Sequence, residues 1–263
     1  MIARVCVLGP SGRMGHALIA AAVGRADLVI AAALDRPGAP ELGAEVAPGV
    51  VATADPDALE ACDVYVDFTA PAATRAMAER ALRSRRAAVI GTTGLAAEDD
   101  RAIAALAAVA PIVVAANFSL GVNLMIGLVR QAARALGPEW DAEIVETHHH
   151  GKRDAPSGTA LMIAHAIAAG HGSDYEQVKC HGRDGLVGAR PRGQIGVSAV
   201  RGGDVIGEHT ATFFGHAERI EIGHRASSRE IFAAGALRAA AWVVGKPAGR
   251  YDMLDVLGLA AHP

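Results

Sequence analysis

The densest chemistry in the 263-residue chain lies in Glu146-Thr147-His148-His149-His150-Gly151-Lys152-Arg153-Asp154-Ala155-Pro156-Ser157-Gly158-Thr159-Ala160. Imidazole and ammonium groups side by side can move protons near neutral pH. Pro156-Ser157-Gly158-Thr159 reads as the start of a helix, with Pro156 near its first turn. The free N–H groups of such a start, the Thr159 hydroxyl and the charges of Lys152 and Arg153 would together bind a carboxylate. A solvated polar loop is the plainer alternative. A metal site is not expected. Side chains alternate faces along a strand, so of the three histidines only His148 and His150 could meet one ion. The HExxH spacing is missing, and no cysteine pair lies nearby.

A second cluster opens the chain. The apolar run Val5-Cys6-Val7-Leu8 leads into Gly9-Pro10-Ser11-Gly12-Arg13-Met14-Gly15 and then into helical spacing. Glycines there allow a tight turn and close backbone approach, and the helix start offers N–H groups to a pyrophosphate. Ser11 stands where the commonest fingerprint has its second glycine. Asp35, twenty residues past Gly15, ends the second apolar run and suits a free ribose 2′-hydroxyl. Arg13 and Arg36 suit the extra phosphate of NADP(H) instead. With a charged partner in place for each, both NADH and NADPH are expected to work.

These residues need elements to hold them. The runs Ile2–Leu8, Leu28–Leu34, Val64–Phe68, Ala87–Ile90 and Ile112–Ala116 are of strand length and apolar on both alternations, as in a strand covered on both faces. Between them, Met14–Ala26, Ala72–Arg85 and Glu98–Ala108 have helical spacing, so the first half reads as βαβ units around a parallel sheet. Beyond Phe118 the spacing predicts a helix over Val122–Leu136, a polar strand over Glu143–His150 and a helix running to about Ala169. Strands follow over Ile195–Arg201, Glu208–Phe214 and Arg219–His224, with Gly202-Gly203 as a turn. A helix over Ser228–Val244 and an apolar tail, Tyr251–Leu259, close the chain. The fold class is therefore α/β, with a dinucleotide-binding domain, a second domain rich in antiparallel strands, and a C-terminal helix that could return to the first.

Composition sets outer bounds. With 51% hydrophobic and 20% charged residues the chain has the makings of an ordinary core. A net charge of −3 and the lack of a long Lys/Arg run exclude nucleic acid or an anionic membrane as the main partner. Cys6, Cys62 and Cys180 are odd in number and far apart, which fits a reducing compartment rather than a disulfide framework. The Ala-rich stretches are broken well short of a membrane span, and a cytoplasmic protein is expected.

Taken together, Gly9–Gly15, Gly91-Thr92-Thr93-Gly94, Ala115-Ala116-Asn117-Phe118-Ser119, Gly121-Val122-Asn123 and the Glu146–Ala160 stretch resemble the 4-hydroxy-tetrahydrodipicolinate reductases. The resemblance continues through His181-Gly182-Arg183, Ser198–Gly203 and Arg219–Ala226, nearly the whole chain in order. It implies NAD(P)H-dependent reduction of (2S,4S)-4-hydroxy-2,3,4,5-tetrahydrodipicolinate to (S)-2,3,4,5-tetrahydrodipicolinate, in lysine and diaminopimelate biosynthesis. It implies an acid/base role for His148, proton donation by Lys152, and carboxylate binding by His149, Gly158 and Thr159. It implies a cofactor lining of Gly9, Pro10, Ser11, Gly12, Arg13, Met14, Asp35, Arg36, Gly91, Thr92, Thr93, Ala115, Ala116, Asn117 and Phe118. The implied architecture is a Rossmann-type domain over 1–119 plus about 228–263, and an α+β domain with a mixed, largely antiparallel sheet over about 120–227. The second domain would bind a small dicarboxylate and build a homotetramer. Three rivals remain: another amino-acid-pathway dehydrogenase, a non-catalytic NAD(P)-sensing module, and a zinc hydrolase using the histidines.

Overall fold

A computed structural model describes residues 2–259. The extreme residues of the expected first domain, 1 and 260–263, lie outside the described residues. The described chain forms two compact units, residues 2–120 with 230–259, and residues 121–229.

In the first unit the short apolar runs become β1 (Ala3–Leu8), β2 (Leu28–Leu34), β3 (Glu45–Ala47), β4 (Val50–Thr53), β5 (Val64–Asp67), β6 (Ala87–Ile90) and β7 (Pro111–Val114). Helices α1 (Arg13–Ala22), α2 (Pro71–Ser84) and α3 (Ala97–Ala107) alternate with them, and a 3-10 turn spans Pro56–Ala61. The eight-stranded sheet includes a late strand, Gly249–Tyr251, beside β7, then runs β7-β6-β5-β1-β2-β4-β3. Only the β3–β4 pairing is antiparallel. Val5 and Val7 of β1 feed one core and Cys6 and Leu8 the opposite core, so neither alternation of the strand is polar. Each fully buried Val or Leu of this kind contributes roughly 1.5–3 kcal/mol. α1 ends four residues before the expected Ala26, because Val23 leaves helical geometry and Gly24 takes a left-handed φ of 77°.

The second unit opens with α4 (Leu120–Leu136) and β8 (Asp141–His148), followed by α5 (Gly158–His171) and a short α6 (Tyr175–Val178). Strands β9 (Lys179–His181), β10 (Ile195–Arg201), β11 (Gly207–Phe214) and β12 (Arg219–Ala226) complete it. The sheet order is β12-β11-β8-β10-β9. It is mixed, as expected: β12–β11 and β11–β8 run antiparallel and carry most of the paired residues, while β8–β10 and β10–β9 run parallel. The long connection through α5 is what permits the parallel pairing. Ala142 and Ile144 of β8 pack with Phe213 of β11 against Val129 of α4 and Ile163 of α5. A side chain at Gly170 would strike the Arg130 carbonyl, so this glycine sets the approach of α5 to α4.

One expectation is corrected here. β8 stops at His148, not His150: the His149 and His150 N–H groups turn to the Val205 and Gly203 carbonyls, at 2.7 and 3.2 Å. The alternation argument therefore never reaches the second and third histidines. Pro156 lies just before the helix, near its first turn as expected, with Ser157 as the N-cap whose hydroxyl accepts from Ala160 N–H.

The chain returns to the first unit through α7 (Glu230–Val243), β13 (Gly249–Tyr251) and α8 (Met253–Leu257). A side chain at Gly235 would overlap the Phe118 carbonyl, so glycine lets α7 lie against the segment after β7. α1, α7 and α8 share one face of the parallel sheet, and α2 and α3 cover the other.

Candidate active site

The glycine loop follows β1. Gly9 adopts a left-handed φ of 68°, and a side chain at Gly15 would collide with the Gly9 and Pro10 backbone. Both glycines are therefore demanded by the turn itself. No side chain caps α1 and no acidic residue stands in its first turn, which leaves its N–H groups open to an anion. Asp35 braces this loop: its carboxylate accepts from Ser11 N–H at 3.1 Å and from Arg36 N–H at 2.8 Å.

A cavity of about 710 Å³ lies here, lined by Gly9, Ser11, Gly12, Asp35 and Arg36 among the predicted residues. That volume falls within the usual range for small-molecule sites. Phe68, Thr69, Ala70, Met77 and Arg80 also line it, and the sequence reading singled out none of them. Arg80 is paired with Asp57 at 2.6 Å and Glu60 at 3.3 Å.

The other predicted residues sit around the cavity rather than on its wall. Arg13 is exposed, Pro10 is buried and Met14 packs on the core. Gly91–Thr93 and Ala115–Phe118 follow β6 and β7, in the row of carboxyl ends where open α/β sheets bind ligands. Gly91 gives room to the Phe68 ring, Phe118 packs edge-on to it at 5.3 Å, and buried Thr92 bonds Thr74 and Asp67. Thr93 and Ala116 are exposed, Ala115 packs on the core, and Asn117 accepts from Ser119 N–H.

In the second unit the sheet puts Glu146 and His148 on the same face as Ala142 and Ile144, beneath the helices. Glu146 is fully buried, and His148 is nearly so. His148 Nδ1 lies 2.5 Å from one Glu146 oxygen. The other oxygen accepts from Ser157 N–H at 3.0 Å, and Arg201 forks across both at 2.7 and 2.8 Å. Burial alone would raise the Glu146 carboxyl, but Arg201, His148 and the Ser157 N–H together hold it below the usual range. His209 Nε2 meets the Ser157 hydroxyl at 3.0 Å, and its ring stands edge-on to His148 at 5.2 Å. Burial, aided by His148, pushes the His209 imidazole down to about 4.

Lys152 Nζ bonds both Asp154 oxygens at 2.8 Å, and the ammonium pulls that carboxyl down. His149 lies half-buried beside Gly151, and His150 is exposed with Nδ1 3.0 Å from the Gly203 carbonyl. Gly158 and Thr159 form the first turn of α5, and a side chain at Gly158 would meet open space. Sequence reasoning gave no role to Glu146, Arg201 or His209. A charged residue on the apolar alternation of β8 was the available signal. Among the described residues no group of three or more His, Cys, Asp or Glu is arranged to hold a metal ion.

A parallel sheet with a glycine loop, joined in one chain to a unit that buries a histidine–carboxylate cluster, is the setting of an oxidoreductase of the Rossmann class. Within that class the chain belongs to the dihydrodipicolinate reductase family: the family's N-terminal region matches residues 3–118 and its C-terminal region residues 121–257. A 4-hydroxy-tetrahydrodipicolinate reductase of Alkalilimnicola ehrlichii is 48% identical, covering 98% of this chain and 100% of its own. One from Trichlorobacter lovleyi is 44% identical over 97% and 99%. The structure of dipicolinate-bound dihydrodipicolinate reductase from Paenisporosarcina sp. TG-14 superimposes with a TM-score of 0.82 at 28% identity, over 97% and 99% of the two chains. The expected family and fold class are thereby borne out.

Proposed function

We propose that this chain reduces 4-hydroxy-tetrahydrodipicolinate to tetrahydrodipicolinate with NADH or NADPH, a step of lysine and diaminopimelate biosynthesis. The observation that carries this reading is that His148, through Glu146 and beside His209, is tied to the Ser157-capped start of α5 in a chain from this family, with Lys152 on the loop between.

The first unit fits a dinucleotide. Its helix start lacks a capping side chain, its loop glycines leave the backbone open, and its cavity has the size required. When bound, the cofactor supplies the hydride. Gly9–Met14 would cradle its phosphates, Asp35 and Arg36 would hold its ribose end, and Gly91–Thr93 and Ala115–Phe118 would bound the remaining row. In the second unit His149, the α5 N–H groups and Thr159 hold substrate carboxylate, Lys152 delivers a proton and His148 exchanges one. Open space at Gly158 leaves room for that carboxylate against the helix start. The dipicolinate bound to the Paenisporosarcina reductase is a ligand of the same anionic kind.

Residues 120–227 also serve as the oligomerisation domain of a homotetramer. Val145, Val200 and Phe214 are exposed on β8, β10 and β11, on the face turned away from α4 and α5. No helix among the described residues is long and apolar enough to cross a membrane. Cys6, Cys62 and Cys180 are free thiols, which fits the reducing compartment of a cytoplasmic protein.

The test follows NAD(P)H absorbance with substrate made in situ from pyruvate and aspartate semialdehyde by the preceding enzyme. Oxidation that depends on that enzyme supports the reading. Cofactor binding without turnover would instead identify a sensing module, and turnover of aspartate or homoserine another dehydrogenase.

A further inference from the structure

Glu146 takes no direct part in the reaction proposed, yet it is a fully buried carboxylate at the centre of the cluster. We propose that Glu146 is a positioning residue: it fixes His148 with the proton on Nδ1, leaves Nε2 as the exchanging nitrogen, and locks that ring to the first turn of α5. This rests on the assignment of His148 as the acid/base group.

The donor inventory carries the argument. An ionised carboxylate only accepts, so the 2.5 Å contact requires the proton on His148 Nδ1 and excludes the other neutral tautomer. Ser157 N–H and the two Arg201 nitrogens occupy the remaining acceptor positions, so the carboxylate has no slack to swing away from the ring. Ser157 is the N-cap of α5, so the same carboxylate fixes the helix start where the substrate is proposed to bind. Arg201 also donates to the Asp154 carbonyl at 2.8 Å, which ties in the loop carrying Lys152. At Gly207 a side chain would come within 2.9 Å of His148 Nε2, so glycine keeps that nitrogen unobstructed. Conserving one tautomer through a buried carboxylate is how acid/base histidines are oriented elsewhere.

The charges around the ring come from every neighbouring element. Glu146 is on its own strand, Arg201 on β10, His209 on β11 with His224 opposite it on β12, and Lys152 and Asp154 on the following loop.

Full-length variants decide the matter. Glu146→Gln should lower kcat about ten- to a hundredfold, as loss of an orienting partner does. Nitrogen shifts of labelled histidine should show mixed His148 tautomers. Cofactor Kd should stay at the wild-type value. Arg201→Gln removes two of the donors that hold the carboxylate, so it should likewise lower kcat and mix the His148 tautomers, and it carries the test if Glu146→Gln does not fold. Adding Glu146→Gln to His148→Ala should slow the enzyme no further. Unchanged kcat and an unchanged tautomer, with only a lower Tm, would overturn the positioning role alone. Wild-type kcat in His148→Ala would overturn the assignment of His148, and the proposal with it.

Discussion

Lys152 and Thr159 stand on either side of Ser157 but have different tasks in the proposed reaction. Lys152 delivers a proton that is in flight only in the transition state, whereas Thr159 holds a carboxylate before and during the reaction. Loss of a positioned acid costs about 10²–10⁴ in rate. Lys152→Ala and His148→Ala should therefore lower kcat strongly, while Thr159→Ala should mainly raise KM, since it removes uniform binding. Cofactor affinity, set in the other unit, should not change in any of the three. Steady-state kinetics beside a cofactor titration checks this, and wild-type turnover by Lys152→Ala at saturating substrate would remove it as the donor. The Asp154 partner of Lys152 adds a second expectation at this scale. Asp154→Asn leaves the ammonium in place without its anion, so it should perturb kcat less than Lys152→Ala does.

At the scale of elements, the parallel strands were legible because burial on both faces makes their residues apolar without alternation, as in Val64–Asp67. Glycine and proline punctuation then separated them. β3 and β13, three residues each, carry too few positions for any period to show. The end of β8 was misread because polar residues continue past it, and only its hydrogen bonds to the turn at Gly203 mark where pairing stops. The partner of Glu146 was hidden for a different reason. Arg201 is distant in sequence, and only the β8–β10 register brings it opposite His148. The cavity beside the glycine loop shows the same mixture. Asp35 and Arg36, singled out from spacing, line it, whereas Arg80 enters from α2. Asp35 is occupied by backbone N–H groups and Arg80 is neutralised by Asp57, so neither dominates the choice of cofactor. NADH and NADPH should then differ by less than about tenfold in kcat/KM, a difference of about 1.4 kcal/mol. Arg36→Ala should lower kcat/KM for NADPH more than for NADH. Exposed Arg13 lies off the cavity wall, so Arg13→Ala should do less. A thousandfold preference either way in the wild type would contradict this account.

For the molecule as a whole, the proposed tetramer and the stability of the second unit give separate tests. Val145→Glu and Val200→Glu place charges on the open sheet face, and sedimentation should show the assembly dissociating while the fold survives. The stability test turns on His209, whose imidazole is pushed down to about 4 by burial and by His148. The unfolded chain restores its value to about 6.5. Between those values the unfolded state binds a proton that the folded state refuses, so stability is fully present above pH ~6.5 and is lost as pH falls toward ~4. The full effect is about 3 kcal/mol, at about 1.4 kcal/mol per unit of difference. His171 and His224, both pushed down by burial, act in the same direction, so the wild-type slope is shared. Glu146, held below its ordinary value, adds its loss only at more acid pH, which leaves the window above pH ~5 to the histidines. His209→Gln keeps an acceptor for the Ser157 hydroxyl but cannot take up a proton. Denaturant unfolding at several pH values should therefore show the variant less stable than wild type at pH 7 but losing less between pH 6.5 and 5. Parallel pH dependences in the two proteins would mean that His209 is not the buried neutral imidazole described here.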